Sequence, residues 1–482
     1  MKKKIQYLVI ILVAAVSSCE LPDNIDPKYP KETSPESVFT SALVALDSLI
    51  GDINVNDNIS RLLVQYHSEV TYFQESRYNF QDRQIPDTYW GILYRDVLMN
   101  LKDSKEKLEA TDIPSEVEIG KKKNKLAIIA ICEVYAYQIL LDAFGNVPYS
   151  EALMGAENSR PKYDDAFTVY KDLVTKLSSA IGNLDSNYDG FGTADVLYNG
   201  DVDLWKKFGA SLKLRIGMRL ADVPESNSAA IVNEAIAAGV FTDQSQSAIL
   251  EYIGVVPLVN SYYNEFVILA RHDFCPTNTI IDMMNTLNDP RREIWFTKLD
   301  GEYVGLPYGR AAASSYPNYS HFSVMIRIDP KYPVIMCDYV EVEFLLAEAA
   351  ERNIYGVPAD AEGHYNNAIM ESMKYWGVPD AAAASYLSQP AVAYATAEGT
   401  YKQKIGNQKW LGLFDRGIES WAEWRRLDFP VLNPPEGMDY ADIPMRMPFP
   451  YNENKMNLDN YTAAATAIGG DQATTKLFWD RY

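Results

Sequence analysis

Phe344-Leu-Leu-Ala-Glu-Ala-Ala-Glu-Arg-Asn353, a turn through Gly356, and then Ala359 to Met373 with Ala361, Tyr365 and Ala368 form the stretch on which the fold turns. Apolar and small residues recur three and four positions apart, the period of an α-helix with one buried stripe. A short turn between two such runs makes the helices antiparallel, and the alanines remove the bulk that would hold them apart. Helix pairing is thus the first expectation for the whole chain.

This is how a tetratricopeptide-like unit is built, although the opening Trp and Leu-Gly of that repeat are missing. The same period predicts helices over 34–50, 59–73, 87–108, 117–144, 163–181, 202–221, 228–238, 277–287, 339–353, 359–376, 400–414 and 418–427. The runs 87–108 with 117–144, and 163–181 with 202–221, have the length of further pairs. Between Asp289 and Pro333 the pattern changes. Gly301, Gly305, Pro307, Gly309, Pro317 and Pro333 punctuate short alternating runs at 303–306 and 324–328, which predicts hairpins and long loops. The expectation is a mainly α protein: one scaffold of tetratricopeptide-like helix pairs over 34–482, a loop-rich insertion at about 239–335, and a few short β-hairpins.

The 482 residues carry 44 Lys+Arg against 65 Asp+Glu, a net charge of −21. A chain this acidic repels a polyphosphate backbone, which argues against nucleic acid as a partner. The N-terminus reads differently from the rest. Met1-Lys-Lys-Lys4 precedes a short apolar run and then Val16-Ser-Ser-Cys19, the plan of a secretory signal over 1–18 that is too short to span a bilayer. The cysteine after the small residues resembles a bacterial lipoprotein site, so Cys19 is the expected lipid attachment point, with the chain held in membrane lipid by its acyl groups. Residues 19–33, with Pro22, Pro27 and Pro30, read as an extended tether. Cys132, Cys275 and Cys337 are odd in number and widely separated, which suits buried free thiols better than disulfides or a metal.

Signatures of catalysis are absent: no phosphate-binding Gly-Lys-Ser/Thr loop, no Gly-x-Ser-x-Gly elbow, no His-Glu-x-x-His helix. His67, His272, His321 and His364 stand far apart. No cofactor is expected; one loop has metal-like spacing, with Asp185, Asn187 and Asp189 before Gly190 and Asp195 further on, which reads as a plain Asn/Asp/Gly turn with a structural calcium ion as the alternative. Val196 stands where a calcium loop of the EF-hand type needs a bidentate glutamate.

Aromatic residues carry the binding chemistry. The chain has 33 Tyr, 17 Phe and 8 Trp. Sugar rings stack their C–H faces on such side chains while Asn, Asp and Arg bond the hydroxyls. Three loop clusters mix both types: Tyr72, Phe73, Tyr78 and Phe80 with Arg77 and Asn79; Tyr262 and Tyr263 with Asn260 and Asn264; Tyr316 and Tyr319 with Asn318 and His321. Trp421 and Trp424, three apart in a helix, are expected in the core.

Several segments together resemble one family. They are Leu141-Asp-Ala-Phe-Gly-Asn-Val-Pro-Tyr149, Tyr163-Asp-Asp-Ala-Phe167, Asp203-Leu-Trp205 with Ser211-Leu-Lys-Leu-Arg215 and Met218-Arg219, Asn288-Asp-Pro-Arg291, Glu341-Val-Glu-Phe-Leu-Leu-Ala-Glu-Ala349, Trp421-Ala-Glu-Trp-Arg-Arg426, and the ending from Arg446 to Trp479-Asp480. In this order, over nearly the whole chain, they are similar to the SusD/RagB family of outer-membrane lipoproteins, in its SusD-like branch. The stretch Asp26-Pro27-Lys28 departs from the Asn-Pro-Asn-like start common in that family. The resemblance implies a non-catalytic surface lipoprotein that binds oligosaccharide or polysaccharide nutrients. It also implies a partner, a TonB-dependent outer-membrane β-barrel transporter of the SusC type. A peptide ligand and, less in keeping with the motifs, a surface glycoside hydrolase are the alternatives.

Overall fold

A computed structural model describes residues 33–112, 115–353 and 356–482; the expected signal, Cys19 and nearly all of the tether lie outside them. Short polar side chains start most of the long helices by accepting from the first free amides. Ser34 does so for α1 (Pro35–Gly51), Ser115 for α3 (Glu116–Phe144), Asp165 for α4 (Ala166–Asn183) and Asp201 for α5 (Val202–Arg219). The second helix, α2, runs as Ile85–Gly91, passes through a π-helical stretch Ile92–Leu98 and finishes as Met99–Ala110. Next come α6 (Ser228–Ala238), α7 (Asn278–Thr286), and α8 (Tyr339–Arg352) and α9 (Ala361–Tyr375), which Asp338 and Asp360 cap. The last are α10 (Asp380–Leu387), α11 (Tyr401–Gly412), α12 (Gly417–Leu427) and α13 (Leu458–Ala467). Neighbours in sequence pack as neighbours in space: α2 on α3, α3 on α4, α4 on α5, α5 on α6, and α8 on α9. The fold is mainly α, as the periodicity predicts.

Helix α3 is long and apolar enough to cross a membrane, yet 83% of its apolar window is buried inside the fold. It ends where Gly145 takes φ +82 and donates its amide to the Leu141 carbonyl, a conformation that costs glycine little. Trp421 and Trp424 are buried, as are the three free thiols.

Two expectations fail. The run 59–73 is helical only over Ser60–Leu63, because Gln65 turns to φ +62 and the chain continues as the strand β1 (His67–Glu69). Every residue from 58 to 70 is buried, so its apolar spacing carries no information about which face is out. The predicted hairpins at 303–306 and 324–328 are also absent. The first makes only isolated bridges and the second is a helical turn, Val324–Arg327. The strands present pair over long range instead: β1 with β3 (Phe274–Pro276), and β2 (Ala248–Leu250) with β4 (Val334–Cys337), both antiparallel.

Charge holds the centre. Arg215 and Arg219 on α5 are almost wholly buried and reach three other helices. Arg215 bonds Glu341 of α8 at 2.6 and 2.8 Å, and Arg219 bonds Asp142 of α3 and both Glu419 and Glu423 of α12. Arg426 bridges Glu348 and Glu423, and Lys409 of α11 meets Glu423 at 2.6 Å. Burial alone would raise the Glu423 carboxyl, but Arg426, Lys409 and Arg219 hold it well below the ordinary range, and Glu348 is held down by Arg426 and Arg352.

Removing one partner from such a set strands the others without water. Arg219→Met is expected to lower unfolding free energy by about 3–5 kcal/mol in denaturant titrations, whereas Lys102→Met, which breaks an exposed pair with Glu106, should leave the midpoint nearly unchanged. The depressed carboxylates stabilise the fold above their unfolded pKa and lose that contribution as protons return. The thermal midpoint should therefore fall as pH drops below about 4, and less so in Glu423→Gln, whose baseline is already lower.

Candidate functional site

The ladder of β1 with β3 brings separate loops to one edge of the molecule. Just beyond it, the Val70 amide donates to the Asp273 carbonyl at 2.8 Å, and the Val70 carbonyl accepts from the Ser314 amide at 2.6 Å. Loops 70–84, 262–273 and 308–322 therefore meet at one residue. Arg77 ties in a fourth, since its Nη1 donates to the carbonyls of Gly309 and Glu436, each at 2.8 Å. The loops that carry the three aromatic clusters of the sequence are thus tied together.

Tyr72 is the most open ring of these clusters, 49% exposed. The guanidinium carbons of Arg83 and Arg271 each lie 5.9 Å from its centroid, in reach for cation–π attraction. Neither arginine is loose. Arg83 bonds Glu75 at 2.6 Å and Asn56 at 3.1 Å, and Arg271 bonds Asp273 at 2.7 Å. Near Arg271, the half-buried Tyr316 stacks on His321 with centroids 3.8 Å apart and planes 10° apart, and His272 lies 5.0 Å away. Burial pushes the Tyr316 hydroxyl up to about 12, and its oxygen is shielded from solvent, so the hydroxyl belongs to the support of the site. What the surface offers is the open Tyr72 ring with two arginines held beside it.

The other candidates divide between this surface and its support. Phe73 is half-buried beside Tyr72. Tyr78, at φ +66, is largely buried, with its ring 6.3 Å from that of Tyr308. Asn79 is spent on its own turn, accepting from the amides of Gln81 and Asp82 and donating to the Asp82 carboxylate. Tyr263 is half-buried, and Asn264 lines a neighbouring cavity.

Two tyrosines are corrected outright. Tyr262 has no exposure; its hydroxyl donates to Asp415 at 2.6 Å and meets His67 Nε2 at 2.7 Å, with Phe322 and Tyr332 packed around the ring. Tyr319 is 8% exposed and its hydroxyl accepts from Arg310 at 3.0 Å. Both brace the loops and present no face to a ligand.

At the loop with metal-like spacing, two of the acids are engaged by the chain itself. Asp195 turns inward, and its carboxylate accepts from the amides of Leu197, Tyr198 and Gly200 and from Trp205 Nε1. Asp185 is taken up by Asn187. No group of three His, Cys, Asp or Glu suited to a metal occurs among the described residues, Asp185, Asp189 and Asp195 included.

Sequence reasoning missed Arg83, Arg271, His272 and Arg310. They are isolated along the chain, and only the loop ties place them beside aromatic rings. The Pro-Pro-Glu-Gly run at 434–437 was a turn signal that could have marked the fourth loop.

Known proteins show the same architecture. A chitin-binding protein of known structure superposes with a TM-score of 0.80 at 24% identity, over 93% of this chain and all of the other. A chitin-binding SusD homologue from Flavobacterium johnsoniae gives 0.76 at 22%, over 93% and 97%, and a SusD homologue from Bacteroides uniformis gives 0.75 at 25%, over 94% and 100%. No curated protein sequence matches the chain. Residues 27–450 match the SusD-like family described as starch-binding and associating with the outer membrane, and this chain belongs to that family.

Proposed function

We propose that this protein captures glycans at the outer face of the outer membrane, anchored by lipid on Cys19, and passes them without catalysis to a TonB-dependent β-barrel transporter of the SusC type. The observation that carries the reading is the exposed Tyr72 ring with the guanidinium groups of Arg83 and Arg271 each 5.9 Å from its centroid. A pyranose ring can lie on Tyr72 while the guanidinium groups donate to its hydroxyls. Family membership supports a glycan and the membrane association, as do the chitin-binding names of two structural relatives. The lipid anchor rests on the Val16-Ser-Ser-Cys19 stretch.

Titration of the chain against starch, chitin and other oligosaccharides should quench its fluorescence for at least one sugar, which is recovered intact after long incubation. Tyr72→Ala should weaken that binding by about 1–3 kcal/mol, the scale of one stacked ring, with the thermal midpoint unchanged because the ring is exposed. Binding of peptides and of no sugar would reassign the ligand. Cys19→Ser is expected to abolish palmitate labelling and to release the protein from the membrane fraction. Purification of the native chain from outer membranes should bring down a large β-barrel.

A further inference from the structure

Beside the aromatic surface, a cavity of about 400 Å³ lies between α1, the 52–57 turn and the segment 250–265. Asp47, Asp52, Asp57, Glu251 and Glu265 line it, and no lysine or arginine does. The density of acid is only the starting point, because acidic surfaces are ordinary on this chain.

Asp47 supplies the independent observation. It sits on the buried side of α1 with 2% exposure, lines the cavity, and its Oδ1 has no hydrogen-bond partner, although Tyr252 reaches the carboxyl. A buried carboxyl oxygen without a donor is costly, and a ligand that supplies one would remove that cost. Two of the other acids are held in place. Asp52 accepts from Ser261 Oγ at 2.6 Å and from the Asn54 amide at 2.8 Å. Glu265 has Arg271 at 3.7 Å, and that arginine makes its shorter bond, 2.7 Å, to Asp273.

The shape selects the kind of cation. No three acids converge at metal-ligand spacing among the described residues, so the carboxyl groups surround a volume and not a point. Val44, Leu250 and Leu258 add apolar wall, which a hydrated metal ion has no use for and a carbon skeleton does. The volume suits a ring better than the thin stem of a lysine side chain. Arg271 connects the two regions, touching Glu265 on the cavity side and Tyr72 on the aromatic side.

We propose that this cavity receives the ammonium group of an amino sugar unit in the captured glycan. Asp47 and Glu265 accept from the ammonium, while Val44, Leu250 and Leu258 cover the C–H face of the ring. The site gives the protein a preference for glycans with free amines over their acetylated or neutral counterparts. This inference rests on the glycan-capture reading, and adds to it a charge-selective subsite.

The titrating groups give a second signature. Burial lifts the Asp47 carboxyl to about 8, with Tyr252 opposing, and burial together with the charges of Asp52 and Glu265 lifts Asp57 to about 6. Glu251 completes the lining acids, while Arg61 acts on Tyr252 from behind the wall and Arg271 on Glu265. An arriving ammonium favours the ionised forms, so binding at pH 7 releases protons from the protein.

The test is calorimetry on the full chain with a glucosamine tetramer, its fully N-acetylated counterpart and tetralysine, each in two buffers of different protonation enthalpy. The glucosamine tetramer should bind at least about tenfold more tightly than the acetylated one, the scale of one charge-assisted hydrogen bond. It should also exchange protons with the buffer where the acetylated one does not, the protons lost by Asp47 and Asp57 being offset by those the sugar amines take up. Asp47→Asn and Glu265→Gln should each remove most of that preference and leave the acetylated ligand unchanged. Both positions are 2% exposed, so two independent variants, each checked by its thermal midpoint, guard against a folding defect in either. Equal affinity for both tetramers, with binding still lost in Tyr72→Ala, would overturn the subsite and leave glycan capture standing. A preference that survives both variants, or binding of tetralysine alone, would also overturn it. Failure of every sugar to bind would remove both readings.

Discussion

Arg219, with no exposure, faces three carboxylates from two other helices, Asp142 of α3 and Glu419 and Glu423 of α12. Such a group cannot be left unpaired, because burying a guanidinium without partners would cost more than any one helix contact returns. The four helices α3, α5, α8 and α12 therefore have one arrangement in which Arg215, Arg219, Glu341, Glu348, Glu423 and Arg426 are all satisfied. Hydrophobic stripes alone would let antiparallel helices slide by a turn; a bidentate ion pair does not.

That rigidity reaches the edge of the molecule where the aromatic loops meet. The helices supply fixed ends to which the 70–84, 262–273 and 308–322 segments return, and short strand pairs join those segments to one another. Asp415, between α11 and α12, illustrates the coupling. It bonds Arg61 at 2.5 Å and the Tyr262 hydroxyl at 2.6 Å, so the end of the helical scaffold directly holds the base of the aromatic loops. Rings on such a support meet a ligand already oriented, which lowers the ordering cost of binding.

The motifs that carry the family resemblance turn out to be mostly structural. Arg215, Arg219, Glu341 and Arg426 belong to the central ion set, and Asp289 with Arg291 forms another buried pair at 2.5 Å. They identify the scaffold and say nothing about the ligand. The aromatic loop residues were legible as a class but not one by one. Tyr72 and Tyr262 have similar neighbours in sequence, Phe73 and Arg77 for the first, Tyr263 and Asn264 for the second, yet one is half exposed and the other fully buried.

Sequence by itself determined the helix pairs, their caps and the mainly α class, because a 3.6-residue period and a Ser or Asp cap are local properties of the chain. It also set the acidic balance and placed a lipid-type cysteine at position 19. Tertiary structure alone decided which aromatics face water, which arginines stand over Tyr72, and that acids from 47–57 and from 251–265 line one cavity. Those outcomes depend on contacts between residues some 200 positions apart, such as His67 with Pro276, and no local period encodes a contact of that range.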